Sequence, residues 1–287
     1  MKSIWIGCLF GCVFFVACQE DIPINIDGQQ PQLVVFSLND VEESFEVRVA
    51  RTRVLNDSLS PLTVDEPNVR LFYSNGVEIP MYNDFGVWSS REVLPEAGKS
   101  YRLTVSHPYF NSVSAFASFP NPPRKVESFI IPNVQTDSMG FDYDELNVWV
   151  EDNPNEDNFY QIQLYYFNNA RNEFVPFAPD NISDDNVGVI RTPEGAFVFN
   201  DEMRNGQTIK LAFTFNALTA TREPRYIVEL SNLSNDMYRF LRTQSLYNRY
   251  NVTVEYFSLY NPIQVFSNIE NGVGIFAGKT VLRDTIR

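Results

Sequence analysis

Beyond residue 18 the chain has no cysteine; its three, Cys8, Cys12 and Cys18, all lie at the start of 287 residues. A disulfide framework, a thiolate zinc site and a cysteine nucleophile are therefore excluded from the body. Histidine is almost as scarce. The single one, His107, precedes Pro108 at an expected strand end, so a Ser-His-Asp triad would rest on it alone and a His-rich zinc site cannot be assembled. Positive charge is short as well. Twenty-two basic residues face 36 acidic ones for a net charge of −14, which argues against nucleic acid, whose phosphates select Lys- and Arg-rich faces. The apolar run Ile4–Ala17 has 14 residues, too few for a membrane-spanning helix of about 20. What the chain does have is 44% hydrophobic residues, with 24 Phe, 14 Tyr and 3 Trp, enough to fill a core and exclude global disorder.

Lys2 followed by that apolar run reads as a secretory signal over residues 1–17. The run ends Phe15-Val16-Ala17-Cys18, which resembles a bacterial lipobox, with Cys18 the residue to be acylated. Gln19-Glu20-Asp21 then resembles the acidic signal that sends such lipoproteins to the outer face of the outer membrane. Removing residues 1–17 takes away Lys2 and no acid, so the charge becomes −15. Acyl chains anchor stably without a transmembrane helix, at about 0.8 kcal/mol per buried CH₂. Residues 18–31 read as a lipidated tether, and the negative body is expected to stand off anionic headgroups.

From Gln32 onward, period-two alternation with β-branched and aromatic residues predicts an all-β body. Gln32–Leu38, Ser44–Arg53, Val69–Tyr73, Tyr101–Ser106 and Val113–Phe119 read as strands, and Asn75-Gly76 as a type I′ hairpin turn. Residues 32–119 form one β-sandwich, immunoglobulin-like or carboxypeptidase-regulatory-like. Pro120, Pro122 and Pro123 make residues 120–123 a stiff linker. Residues 124–287 form a second β domain, with strands at Arg124–Ile131, Glu145–Glu151, Phe159–Phe167, Phe197–Phe199, Thr208–Phe215, Tyr226–Leu230 and Val273–Ile286. Asp180–Val187 reads as a loop excursion and strand character is expected to resume at Val252. One helix is predicted over Asn235–Tyr250, capped by Ser234, with Met237, Phe240, Leu241, Gln244 and Tyr247 along its apolar stripe.

Several stretches, taken in order, resemble a family of Bacteroidota outer-membrane lipoproteins known as domain of unknown function 4249. They are FVACQED, QLVVFSL, FEVRVARTR, the Gly98–Val105 segment, the Pro-rich exit at 120–123, the helix LSNDMYRFL and above all Val265–Gly278 (VFSNIENGVGIFAG). The resemblance implies two β domains on a lipid anchor, often encoded beside TonB-dependent outer-membrane receptors, and a receptor of that kind is the expected partner. It implies no reaction and no cofactor.

The residues themselves offer little chemistry. Gly272, Gly274 and Gly278 have the wrong spacing for a dinucleotide loop and no following helix, so close packing or a bulge is expected there. Among the acids, Asp142, Asp144 and Glu145 cluster, as do Asp184 and Asp185. Asp152, Glu156 and Asp157 make the best calcium candidate, although Pro154 replaces a turn glycine and no Glu follows at EF-hand spacing. Tyr165-Tyr166-Phe167, Tyr256-Phe257 and Tyr260 offer sugar-stacking rings but alternate as core aromatics do. Asp57-Ser58-Leu59, Asp137-Ser138-Met139 and Asp284-Thr285-Ile286 resemble a short O-glycosylation motif. With no catalytic set, the expectation is a non-enzymatic, surface-exposed lipoprotein acting as an accessory module; a glycan- or calcium-binding surface protein and a structural envelope protein are the alternatives.

Overall fold

The computed structural model describes residues 30–53, 62–184, 187–216, 225–251 and 263–286. Among these residues the architecture is mainly β, in three sheets with one helix and without barrel closure. The first half supplies β1 (Leu33–Asp40), β2 (Glu46–Arg51), β3 (Asn68–Tyr73), β4 (Glu78–Ile79), β5 (Tyr82–Asp84), β6 (Val87–Ser89), β7 (Ser100–His107) and β8 (Phe110–Ser118). Then come β9 (Lys125–Thr136), β10 (Asp142–Glu151), β11 (Phe159–Asn168), β12 (Glu173–Phe177), β13 (Asn181–Asp184) and β14 (Ile190–Arg191). The chain finishes with β15 (Phe197–Asn200), β16 (Thr208–Asn216), β17 (Tyr226–Leu233), α1 (Asn235–Asn251) and β18 (Val273–Ile286). A ten-stranded sheet runs β14-β15-β11-β17-β18-β1-β2-β6-β5, with β12 added on β11; two four-stranded sheets run β4-β3-β7-β8 and β13-β16-β10-β9.

Both small sheets cover the same face of the large one, side by side, and each encloses a core. The first core buries Val35, Phe45, Val47, Leu71, Tyr101 and Phe119; the second buries Leu146, Val148, Ile162, Leu164, Phe213 and Leu230. Alternation explains why these residues face inward: Phe45 and Val47 sit two apart, as do Leu146 and Val148. Each fully buried side chain of this size contributes about 1.5–3 kcal/mol. On the opposite face of the large sheet lies α1, burying Met237, Tyr238 and Leu241 against Leu233, Ile275 and Ala277.

The last strand joins the two halves. Over Val273–Lys279 it pairs in parallel with β1, and over Lys279–Ile286 it pairs antiparallel with β17. Phe276 enters the first core and Leu282 and Ile286 pack on the second. Ile275 and Ala277, of opposite parity, lie under the helix. Residues 269–276 of the segment placed with the second domain thus also complete the first sandwich. The Pro-rich linker is pinned to the same strands: the Asn121 carbonyl accepts hydrogen bonds from Asn232 Nδ2 (3.0 Å) and Thr280 Oγ1 (3.1 Å).

Three local expectations change. The turn after β3 is not type I′, because only Gly76 (φ 86°) has positive φ while Asn75 does not. Gly76 N donates to the Tyr73 carbonyl and Tyr73 N to Val77 O, giving a three-residue loop closed by a left-handed glycine. Asn181–Asp184 is a strand rather than a loop, pairing with β16, and Val187 beyond it is buried. The helix is capped as expected, Met237 N donating to Ser234 Oγ at 3.3 Å. However, Tyr247 is exposed, and Tyr238 is buried instead, its ring stacked 5.0 Å from Phe159. The strand expected from Val252 lies outside the described residues.

Candidate functional site

The acidic positions are employed as structural acceptors. Asp152 is 2% exposed, and its carboxylate accepts from Tyr160 Oη and the Gly206 N–H, both at 2.6 Å. Asp201, 3% exposed, accepts from Asn158 N at 2.9 Å. The buried Asn158 amide, oriented to satisfy its surroundings, donates towards Asp152 Oδ1 and the carbonyls of Asn153 and Glu156, and accepts from Asn232. Burial, reinforced by the bond to Asp152, pushes the Tyr160 phenol up; burial raises the Asp201 carboxyl too, with Asp152 adding to it. Glu156 is exposed and binds Asn153 Nδ2 at 2.6 Å, and Asp157 is also exposed. The three calcium candidates therefore do not converge, and among the described residues no three acidic, His or Cys side chains group as metal ligands. Asp184 Oδ2 accepts from Val189 N; Asp185 lies outside the described residues, as do Cys18, Gln19, Glu20 and Asp21.

The Val265–Gly278 segment is a clasp. Asn268 Oδ1 accepts from Phe276 N at 3.0 Å, and its Nδ2 reaches Phe276 O (2.8 Å), Asp236 Oδ2 (2.9 Å) and Phe116 O (3.3 Å). One side chain thus connects β8, the first turn of α1 and β18. Gly274 (φ 122°) lies so close to β1 that a Cβ would sit 1.9 Å from the Val35 carbonyl; at Gly278 it would meet the Phe119 ring at 2.5 Å. The glycines serve strand packing, as expected from their spacing.

At the end of the second sandwich the β9–β10 hairpin projects. β9 runs in the sense of β18, since Asn121 O meets Thr280 and Ser128 Oγ meets Asp284. The hairpin therefore lies at the opposite end of the long axis from Gln30, where the described chain begins. Asp137 shapes its tip: Oδ1 accepts from Met139 N (2.8 Å) and Phe141 N (2.9 Å), and Asp137 N donates to the Phe141 carbonyl. This leaves Met139 77% and Phe141 52% exposed, with Ile131 and Val134 exposed below them. Asp144 Oδ1 accepts from Asn133 N at 3.0 Å, fixing a bulge opposite Tyr143 and Glu145. Asp142 accepts from Thr136 and Glu145 from Asn147. The first acidic cluster is thus the frame of a preorganised apolar tip.

His107 ends β7 at the expected strand end, paired with Phe110 across the Pro108-Tyr109 turn. Its Nδ1 accepts from Tyr109 N (3.3 Å), leaving Nε2–H to donate to the Asp65 carbonyl (3.1 Å). Tyr166 packs against the second core, and the Phe167 ring lies 3.5 Å beneath Arg225 and beside Phe174, so neither offers an open sugar platform. Tyr165 points to the other face, its phenol raised by burial and then by Glu229. Tyr256, Phe257, Tyr260 and the 57–59 motif are outside the described residues. Ser138 is exposed at the hairpin tip, and Thr285 is exposed on β18. In the sequence Met139 is marked only as part of the Asp137-Ser138-Met139 motif, and Phe141, Phe85 and Tyr109 by nothing but a large apolar residue inside a turn.

No curated protein matches the chain. A solved structure described as the complete structure of manganese lipoxygenase of Gaeumannomyces graminis and partial structure of zonadhesin of Komagataella pastoris is similar at 10% identity, covering 71% of this chain and 89% of that one. Its TM-score of 0.21 is too low to carry an argument. The family model described as Domain of unknown function (DUF4249) matches residues 19–285, and the chain belongs to that family.

Proposed function

We propose that the protein is a surface-exposed outer-membrane lipoprotein of Bacteroidota, acylated at Cys18, that acts as a non-enzymatic accessory module for a TonB-dependent transporter. The lipobox-like Phe15–Cys18 and the acidic Gln19-Glu20-Asp21 support the location. The observation that carries the interaction role is the β9–β10 hairpin, which holds Met139 and Phe141 in water on a hydrogen-bonded frame at the end away from the tether. A preordered apolar tip loses little conformational entropy on binding, so its burial translates efficiently into affinity. Exposed apolar groups held in this way mark interaction sites.

Co-purification tests the reading. Affinity-tagged protein from gently solubilised outer membranes is expected to bring a transporter with it, and Met139→Ser/Phe141→Ser to lose at least tenfold of that yield at unchanged thermal stability. Absence of any transporter from the wild-type preparation contradicts the partner. Equal recovery with the double variant contradicts the hairpin.

A further inference from the structure

The end of the first sandwich nearest the tether carries a second pair of exposed aromatics. Strand register locates them. Leu33 pairs with Arg51, Phe36 with Arg48 and Arg48 with Val87, so the β5–β6 turn, Phe85-Gly86, points towards the Leu33 end of the sheet. Gly272 lies against Leu33 O and Val113, whereas Gly278 lies against Phe119. β8 therefore runs alongside β18, and its first residue, Phe110, with the Pro108-Tyr109 turn, projects past that same end. Gln30 enters there as well.

Both tips are shaped to hold their rings outward. Phe85 (φ 53°) and Gly86 (φ 88°) form a type I′ turn between the paired residues Asp84 and Val87. A left-handed backbone costs a bulky residue about 1–2 kcal/mol, yet Phe85 occupies it fully exposed. Tyr109 is 88% exposed on the turn that His107 fixes. These are the two most exposed large hydrophobic residues among those described. Neither two-residue turn carries a charge; Asp84 beside the first is paired with Arg91 at 3.2 Å, and the exposed Asp65 and Glu66 flank the second through the His107–Asp65 contact.

We infer that Phe85 and Tyr109 seat the first sandwich on the lipid interface and so set the orientation of the body on its anchor. The occupant follows from the chain outside the described structure. Twelve residue steps separate Cys18 from Gln30, a reach of at most about 40 Å, so this end is the part of the body tied closest to the acyl chains. Tyrosine favours the headgroup region, where an apolar ring and a polar hydroxyl are both accommodated, and the Phe85 ring adds apolar burial at the acyl boundary. Repulsion of the −15 body from anionic headgroups opposes this seating, and the uncharged turns are the part of that end able to approach the interface. The inference rests on acylation of Cys18 as proposed above.

The cysteine-free body makes the test clean, because an acylated Cys18 leaves no competing thiol. The lipidated protein is reconstituted in vesicles with an environment-sensitive fluorophore on Asn111→Cys, beside the Tyr109 turn, or on Ser138→Cys at the opposite end. Brominated lipids are expected to quench the Asn111 label at least threefold more than the Ser138 label. Phe85→Asp/Tyr109→Asp is expected to abolish the difference while melting temperature and vesicle association persist. Equal quenching at both positions, with mass spectrometry confirming acyl chains on Cys18, overturns the mount and leaves the lipoprotein reading intact. A Cys18 without acyl chains overturns both.

Discussion

The two sandwiches are made of the same material and closed in different ways. In the second, each strand finds its partners by antiparallel pairing, and β9–β10 follow one another directly. The first is finished from afar. Its β1 lies between β2, close in sequence, and β18, whose first residue, Val273, pairs with Val34 across 239 positions of sequence. Parallel pairing over that separation yields its enthalpy only after a large loop-closure cost has been met. The lesson is that the first sandwich, although encoded first, is complete only when the last strand is in place.

That contrast can be attacked first at Gly274. Valine there combines φ 122° with a Cβ 1.9 Å from Val35 O, a clash that backbone on both sides cannot yield to. Gly274→Val is expected to cost at least about 4 kcal/mol, read by chemical denaturation, and to loosen β1 and β17 together in amide exchange. Loss of protection in β1 alone would make the first sandwich a separable unit.

Asn268→Ala comes next. It strips Phe276 N–H and C=O of side-chain partners and leaves Asp236 Oδ2 without its donor. Loss of these bonds predicts a destabilisation of about 2–3 kcal/mol, seen as a lower denaturation midpoint with an unchanged slope. A change below 0.5 kcal/mol would reduce the clasp to an ornament of the surface.

The smallest effect belongs to the second sandwich. Asp201 has its carboxyl raised by burial and by neighbouring Asp152. The folded state therefore holds its proton more tightly than the unfolded chain, whose value is about 3.9. Stability contributed by the protonated form is lost as pH rises through the interval between those values. Asp201→Asn is thus expected to match wild type at low pH and to be modestly more stable at neutral pH, by parallel urea titrations. A variant less stable at pH 7 would show that the bond from Asn158 N needs a full negative charge.

Much of this was legible in the sequence. Alternation placed β1, β2, β7, β8, β10, β11 and β16 to within a few residues, because half-buried strands impose a period of two. Ser234 and Asp236 marked the start of α1, since capping is local chemistry. Short strands such as β4, β5 and β14 were missed because two or three residues carry no period. Asn181–Asp184 passed for a loop because its exposed polar residues hide an edge strand held by β16. The glycine motif was identifiable as a packing feature, but what it packs against depends on a register between residues more than two hundred positions apart. For the candidate sites, acidic clusters drew the eye, and the structure spends Asp142, Asp144 and Asp152 on framing loops. The exposed tips at Phe85, Tyr109, Met139 and Phe141 look like buried residues in composition; only the turn geometry shows them turned to solvent.

The joining of both cores by β18 has a direct test, because the chain from Cys18 onward has one tryptophan for each sandwich, Trp88 beside the first core and Trp149 on the β10 face of the second. Trp149→Phe and Trp88→Phe give single-tryptophan proteins that report each sandwich separately. If β18 makes one cooperative unit, the two fluorescence transitions in urea coincide in midpoint and slope, and match circular dichroism. Two separated midpoints, with one sandwich surviving the unfolding of the other, would contradict it.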